Sequence, residues 1–394
     1  MPSHPIHPDI RLTDGNFYAA DPHPHFRWLR ANAPVYWDDA GQAWGITRYD
    51  DIIAVAKDPR TFSNSGGIRP DAPTMPYMID MDDPEHKKRR GLVNRGFTVR
   101  RVQEREPRIR EICIEQIERA KQRGRFDFVK DLAAWLPLIV IGDMLGVEPD
   151  HYEQLLQWSD DLVLGSGAPT IERIQRASAA FDEYLAYQRE VIADRRAQPK
   201  DDLVSILVHA EIDGERLSDN ELLMESLLIL IGGDETTRHV ISGGMYQLLT
   251  HPDQRRTLAA DPTKIPTAVE EMLRWVTPIQ NMARTATRDV ELGGQTIRAG
   301  QKLLLLYPSA NRDEAVFPEP SRFDIARTPN DHLAFGFGTH FCLGASLARL
   351  ELRVAFEEIL ARLPTLEVAS TDPPPLRASN FICGIEELPV ELRG

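Results

Sequence analysis

The chain has 394 residues, 42% hydrophobic and 27% charged, with 46 basic and 60 acidic side chains for a net charge of −14. This is ordinary globular material with enough apolar content for a large core, and the acidic balance argues against nucleic-acid binding. No run of about 18 apolar residues occurs and the opening MPSHPIHPDIRLTDGN lacks the pattern of a signal sequence, so a cytoplasmic chain without a membrane span is expected.

Repeats, low-complexity tracts and Gly/Ser linkers are absent, which predicts one domain over 1–394, mainly α with smaller β-sheets. Near the start, His4, His7, His23 and His25 offer ligands for a divalent ion, against the competing reading of a proline-broken mobile arm. VYWDDAGQAWGITRY reads as a hairpin, the first of three β-rich stretches at about 30–65, 285–310 and 365–394. Helical periodicity dominates from about Asp83 to Leu273. Its first helix, with Asp83 as N-cap and Pro84 at N1, puts His86 and Arg90 on one face. From His86 to Arg110 the chain is strongly basic, a solvated helix face or a docking patch for an acidic partner.

Ser218 and Glu221 form a capping box, opening a helix that continues to about Leu249. Its centre reads LLILIGGDETTR. Two adjacent glycines inside a helix cost about 1 kcal/mol each relative to alanine, so something should offset them. One reading is a close helix crossing. The other is that the helix breaks at Gly232 and Gly233 to let a flat ligand and dioxygen approach, with Gly232, Glu235 and Thr236 on one face and Asp234 turned away toward Arg238. Further on, Glu271 and Arg274 are an i, i+3 pair, and Gly293 and Gly294 turn a second hairpin in DVELGGQTIRAGQKLLLLYP.

The stretch Phe335 to Gly344, FGFGTHFCLG, precedes a helix marked by Leu343, Leu347, Leu350 and Val354. A helix N-terminus and glycine-lined amides favour a thiolate at Cys342. The chain has three cysteines, Cys113, Cys342 and Cys383, too few and too scattered for an iron–sulfur cluster, a zinc knuckle or a disulfide framework. One thiolate as the sole protein ligand fits a haem iron, whereas a buried small hydrophobe is the bland alternative and is the one assigned to Cys113 and Cys383.

FGFGTHFCLG matches the pattern F-G-x-G-x-H-x-C-x-G and resembles the haem-binding loop of the cytochrome P-450 family. The resemblance implies a triangular prism with haem b between a long central helix and the cysteine-loop helix. It implies Cys342 as axial ligand, His86, Arg90, Arg284 and His340 as propionate partners, and Gly232, Phe335 and Gly336 against the cofactor. Glu271 and Arg274, completed by Arg322 of Pro-Ser-Arg-Phe, resemble the family's structural lock. LLILIGGDETTR resembles its oxygen-activation motif, with Glu235 as the acid and Thr236 as the hydroxyl in O2 use. Electrons would then come from a ferredoxin and an NAD(P)H-dependent ferredoxin reductase, since no flavin or dinucleotide fingerprint occurs in the chain. A monomer is expected.

A pocket wall of Ile68, Met75, Met78, Ile79, Leu228, Val276, Ile279, Gln280, Phe381 and Ile382 is poor in charge and suggests an apolar substrate. The phrases GGIRP, MIDMDDPEH, LVNRGFT and GERLSDNEL are similar to the actinobacterial branch that oxidises the terminal side-chain carbon (C26/C27) of cholesterol and cholest-4-en-3-one. Competing readings are a monooxygenase of another apolar substrate (terpenoid, fatty acid or polyketide), a haem-thiolate sensor without turnover, and a peroxide-driven enzyme.

Overall fold

A computed structural model describes residues 4–164, 170–212 and 214–393. The elements that place the site are seven helices: α1 (His23–Asn32), α2 (Glu85–Val93), α3 (Glu106–Lys121), α4 (Trp135–Met144), α5 (Asp219–Thr250), α6 (Ile265–Val276) and α7 (Ala345–Arg362). Helix α5 is the longest described, 32 residues or about 48 Å. Its start is the predicted capping box: the Glu221 N–H donates to Ser218 Oγ at 3.4 Å and the Ser218 N–H to Glu221 Oε2 at 2.7 Å.

No break occurs at Gly232 and Gly233; the helix runs straight through both. The two glycines instead do different work. A Cβ on Gly233 would lie 2.6 Å from Ile141 Cγ1 of α4, so this glycine permits a close helix crossing. A Cβ on Gly232 would meet nothing within 4 Å. Helix α4 reads WLPLIVIGDM, apolar on nearly every side, which suits its position against α5 in the largest core cluster.

Strands cluster outside this helical body. A five-stranded sheet has the order β1 (Val35–Asp38), β2 (Ala43–Ile46), β8 (Lys302–Leu306), β5 (Asn281–Ala286), β3 (Phe62–Ser63). The predicted first hairpin is β1 and β2, with Val35 opposite Ile46. Strand β8 runs parallel to β2 and antiparallel to β5, setting Arg284 opposite Leu303. The second predicted hairpin joins β6 (Val290–Leu292) to β7 (Gln295–Ile297) through Gly293 and Gly294, both at positive φ. A three-stranded sheet closes the chain, in which β10 (Pro389–Leu392) lies between β4 (Arg125–Asp127) and β9 (Leu366–Val368).

One helix start differs from expectation. Helix α2 begins at Glu85 with Pro84 in the N-cap position, and Asp83 makes no cap bond. The Asp83 carboxylate instead sits 3.2 Å from His86 Nδ1 and orients that ring.

Candidate functional site

The cysteine loop is built by glycine geometry. Gly336 and Gly338 have φ of +68° and +76°, and a Cβ on Gly338 would meet the Ala56 carbonyl oxygen at 2.5 Å. The Cys342 N–H donates to the Phe335 carbonyl at 2.9 Å, which closes the loop just before α7. Cys342 is exposed, but only into an internal cavity whose opposite wall is α5. Burial raises the thiol pKa, against the lowering effect of the Gly344 amide, Arg90 and Arg349.

Behind the loop lies the lock. Arg274 grips Glu271 with Nε at 2.7 Å and Nη2 at 2.8 Å, and neither residue is exposed to solvent. The second arginine on Glu271 is Arg327, not Arg322: Arg327 Nε donates to Glu271 Oε2 at 3.1 Å. The Arg322 side chain turns outward to Glu319, and only its main-chain carbonyl joins the network, accepting from Arg274 at 3.3 Å and Arg327 at 3.0 Å. Phe323 is buried, so the chain direction there sends Arg322 to the surface. Neighbouring Glu270 accepts from Arg349 at 2.7 and 2.8 Å, and Arg349 lies 4.6 Å over the Phe335 ring. Helix α6 is thus tied to α7 and to the loop at once.

The opposite wall is the middle of α5. Gly232 is exposed to the cavity although the helix around it is buried, and Thr236 Oγ1 donates to the Gly232 carbonyl at 2.8 Å. Glu235 does not line this cavity. Burial would raise its carboxyl, but Arg238 and Arg377 hold it well below the usual carboxylate range. Its Oε2 accepts from Arg377 at 2.5 Å, and Arg238 bonds its other oxygen. Asp234 does pair with Arg238, at 3.3 Å, but it is fully buried and accepts from Ser159 Oγ at 2.7 Å. Burial pushes its carboxyl up to about 7.

One side of the cavity is cationic. His86, Arg90, Arg284 and His340 all line it, with the His86 and His340 rings 4.0 Å apart. Arg284 is buried, donates to the Ala283 carbonyl at 2.8 Å and faces Tyr307, with no carboxylate bonded to it among the described residues. His86 Nε2 is buried without a partner. Burial, followed by the neighbouring His86 and then Arg284 and Arg90, drives His340 down to about 2. Buried Arg284, which bonds no carboxylate among the described residues, and the unpartnered His86 Nε2, with Arg90 and His340 beside them, supply donors that fit the two carboxylates of a haem, so the residues present suit the group.

Of the predicted apolar wall, Ile68, Met78, Ile79, Leu228 and Ile279 line the cavity, as do Phe335 and Gly336. Met75, Val276, Gln280, Phe381 and Ile382 do not. Val276 packs on α5, where a Cβ on Gly243 would lie 2.7 Å from it. Gln280 spends its amide on the Thr277 and Pro278 carbonyls, at 3.0 and 3.1 Å. Phe381 and Ile382 form a buried cluster behind Ile68 and Ile279, while Met75 joins the main core. Met282 and Glu351 also line the cavity. Met282 was within reach of sequence reasoning, since strand alternation puts it on the face of Arg284. Glu351, nine-residue spacing beyond Cys342, carried no such signal.

The basic stretch is largely neutralised. Lys88 pairs with Glu215 at 3.1 Å, Arg100 with Glu104 at 2.8 Å, Arg108 with Asp143 at 3.0 Å and Arg110 with Glu357 at 2.6 Å. Arg101 reaches Asp201 only at 4.0 Å, and Lys87 has no ion partner among the described residues. No helix among those residues is long and apolar enough to cross a membrane.

Comparisons with known proteins agree with this geometry. The sequence matches the family "Cytochrome P450" over residues 46–262 and 264–392. It is 54% identical to a steroid C26-monooxygenase of Mycobacterium tuberculosis, covering 97% of each chain, and 52% identical to one of Mycolicibacterium smegmatis, covering 97% and 96%. Among solved structures, a Mycobacterium marinum cytochrome P450 in complex with pseudoionone superimposes with a TM-score of 0.90 at 36% identity, over 99% of this chain and 100% of that one. A Bacillus megaterium relative in complex with testosterone gives 0.87 at 33% identity, over 95% and 100%. A thiol-bearing glycine loop facing a long helix, cationic residues on one side and sequence identity along nearly the whole length lead to one conclusion: the chain belongs to the cytochrome P450 family.

Proposed function

We propose that this cytochrome P450 hydroxylates the terminal (C26/C27) carbon of a sterol side chain, with cholesterol or cholest-4-en-3-one as substrate. The observation that carries the reading is the identity of more than half the residues with two steroid C26-monooxygenases along nearly the full chain. An apolar cavity wall of Ile68, Met78, Ile79, Leu228, Ile279 and Met282 suits a branched hydrocarbon end.

Cytochrome P450s carry haem b and use O2. Cys342 would bind the iron, with His86, Arg90, Arg284 and His340 on the propionates. Bound there, the group activates O2 with two electrons and two protons, so that one oxygen atom enters a C–H bond and the other leaves as water. The chain itself must position the side chain and pass the protons. Thr236, whose hydroxyl is held by the Gly232 carbonyl at 2.8 Å, is the proton-handling group on the cavity wall. Glu235 backs it from outside as an ionised carboxylate, and relays a proton only when its bonds to Arg238 and Arg377 open and it first takes that proton up from solvent.

Members of the family draw electrons from redox partners. For this chain the donors proposed are a ferredoxin and its NAD(P)H-dependent reductase in the cytoplasm, docking near Lys87 and Arg101. A purified holoenzyme supplied with those donors and cholest-4-en-3-one is expected to show a Soret shift on binding and an alcohol one oxygen heavier. Absence of both would overturn the reading. The pseudoionone-bound relative makes a smaller terpenoid the second reading, and the same assay with that ligand decides between them.

A further inference from the structure

Far from the cysteine loop, the N-terminal arm meets the start of helix α1. His7, Asp9 and His25 each offer one ligand atom there, and these atoms all lie within 4.8 Å of one another. We propose that His7, Asp9 and His25 form a binding site for a divalent transition metal of the zinc class, clamping the N-terminal arm to helix α1.

Geometry is the first support. Three points no more than 4.8 Å apart share a centre at most about 2.8 Å from each, and small side-chain rotations bring that to the roughly 2.0–2.2 Å of a zinc bond to nitrogen or carboxylate oxygen. His7 Nδ1 and Asp9 Oδ2 are already 3.9 Å apart, and the His7 and His25 rings meet edge to face at 5.1 Å. Two imidazoles and one carboxylate suit zinc, and an exposed third side leaves room for water.

The second support is an unpaired polar atom. His25 Nδ1 is buried and has no hydrogen-bond partner. Aromatic rings surround the pair: Trp28 stands 5.0 Å from His7, and Phe17 is 5.5 Å from His25. His7 Nδ1 accepts only a long contact from the Asp9 N–H at 3.3 Å, which a metal would replace, and the desolvated His25 nitrogen beside it has no partner to give up. Helix α1 starts at His23, so its dipole opposes a cation there, and the Asp9 charge offsets it. His23 does not belong to the set, since the ligand atoms that lie within 4.8 Å of one another are those of His7, Asp9 and His25.

A clamp at this point has a physical role. Residues 7–12 lie along the sheet edge, with Tyr36 Oη donating to the His7 carbonyl at 3.3 Å and the Leu12 N–H donating to Asp38 at 2.6 Å. A metal would add to those anchors a tie from the His7 ring and the Asp9 carboxylate to helix α1.

The test is calorimetric titration of ZnCl2 into EDTA-stripped, desalted holoenzyme, in which Cys342 is occupied by iron. One zinc per chain is expected. Outer-shell changes alone weaken metal sites about 10–100-fold, so His7→Ala, His25→Ala and Asp9→Asn should each weaken binding at least tenfold, while His23→Ala should not. The CO spectrum checks that each variant is folded. Trypsin cleavage after exposed Arg11 should slow with zinc in the parent and not in His25→Gln. Absence of saturable binding up to millimolar zinc, or binding by the His7 and His25 variants as tight as by the parent, would overturn the site.

Discussion

Arg327, not Arg322, holds the second side of Glu271, and the two arginines give very different expectations on truncation. The Arg327 side chain is 8% exposed and that of Arg322 61%. Arg327 donates to Glu271 at 3.1 Å and to the carbonyls of Pro318 at 2.8 Å, Glu319 at 3.2 Å and Arg322 at 3.0 Å. Breaking one side of a buried pair costs about 3–5 kcal/mol. Glu271 keeps Arg274, so the lower end applies, and Arg327→Ala is expected to destabilise by about 3 kcal/mol. Arg322→Ala removes only contacts of an exposed side chain, to Glu319 at 3.1 Å and Asp324 at 3.8 Å, and retains the main-chain carbonyl that Arg274 and Arg327 use. Its expected cost is at most about 0.5 kcal/mol. The assay is a urea titration of the holoenzyme, following the red-shifted band of the reduced CO complex, which reports thiolate ligation. Equal losses in the two variants, or a larger loss in Arg322→Ala, would refute the assignment.

Gly233→Ala should destabilise by about 1–3 kcal/mol through overpacking on Ile141, whereas Gly232→Ala should fold as well as the parent or better and change substrate-binding spectra, because its Cβ enters the cavity. Thr236→Ala should keep NAD(P)H consumption while lowering product per NAD(P)H, with the difference recovered as peroxide; full coupling would remove Thr236 from proton handling. Burial lifts Glu225 to about 7 from 4.5, so the folded state keeps a proton that the unfolded chain loses over that window. Stability should therefore fall as pH rises from about 4.5 to 7, by up to about 3 kcal/mol from this group. Glu225→Gln should flatten that part of the pH profile in denaturant midpoints, and an unchanged slope would dismiss Glu225 as its source.

Local chemistry was the part most readable in the sequence. The capping box at Ser218 and Glu221, the hairpin at Gly293 and Gly294, and the helix after Cys342 depend on neighbours within a few residues, and all three stand as expected. What failed was side-chain direction over longer range. Arg322 and Arg327 are both close enough in sequence to reach Glu271, and only the buried Phe323 decides which one does. Val276, Gln280, Phe381 and Ile382 belong to the correct segments. Their side chains are taken up by Gly243, by two carbonyls and by each other, none of which periodicity reveals.

The diglycine in α5 shows why the two readings of a motif need not compete. A close crossing and an opening for a ligand were alternatives for one feature, yet adjacent helix positions point about 100° apart. Gly233 therefore meets α4 while Gly232 faces the cavity. The same rotation separates Glu235 from Thr236: the acid turns to Arg238 and Arg377, and the hydroxyl turns to the cavity. An ionised, doubly paired carboxylate is a poor proton donor at rest. Proton delivery through it thus requires Arg377 to let go. Because the Arg377 N–H donates to the Gly384 carbonyl at 2.9 Å within the C-terminal segment, movement of that segment is coupled to the acid and not to the hydroxyl.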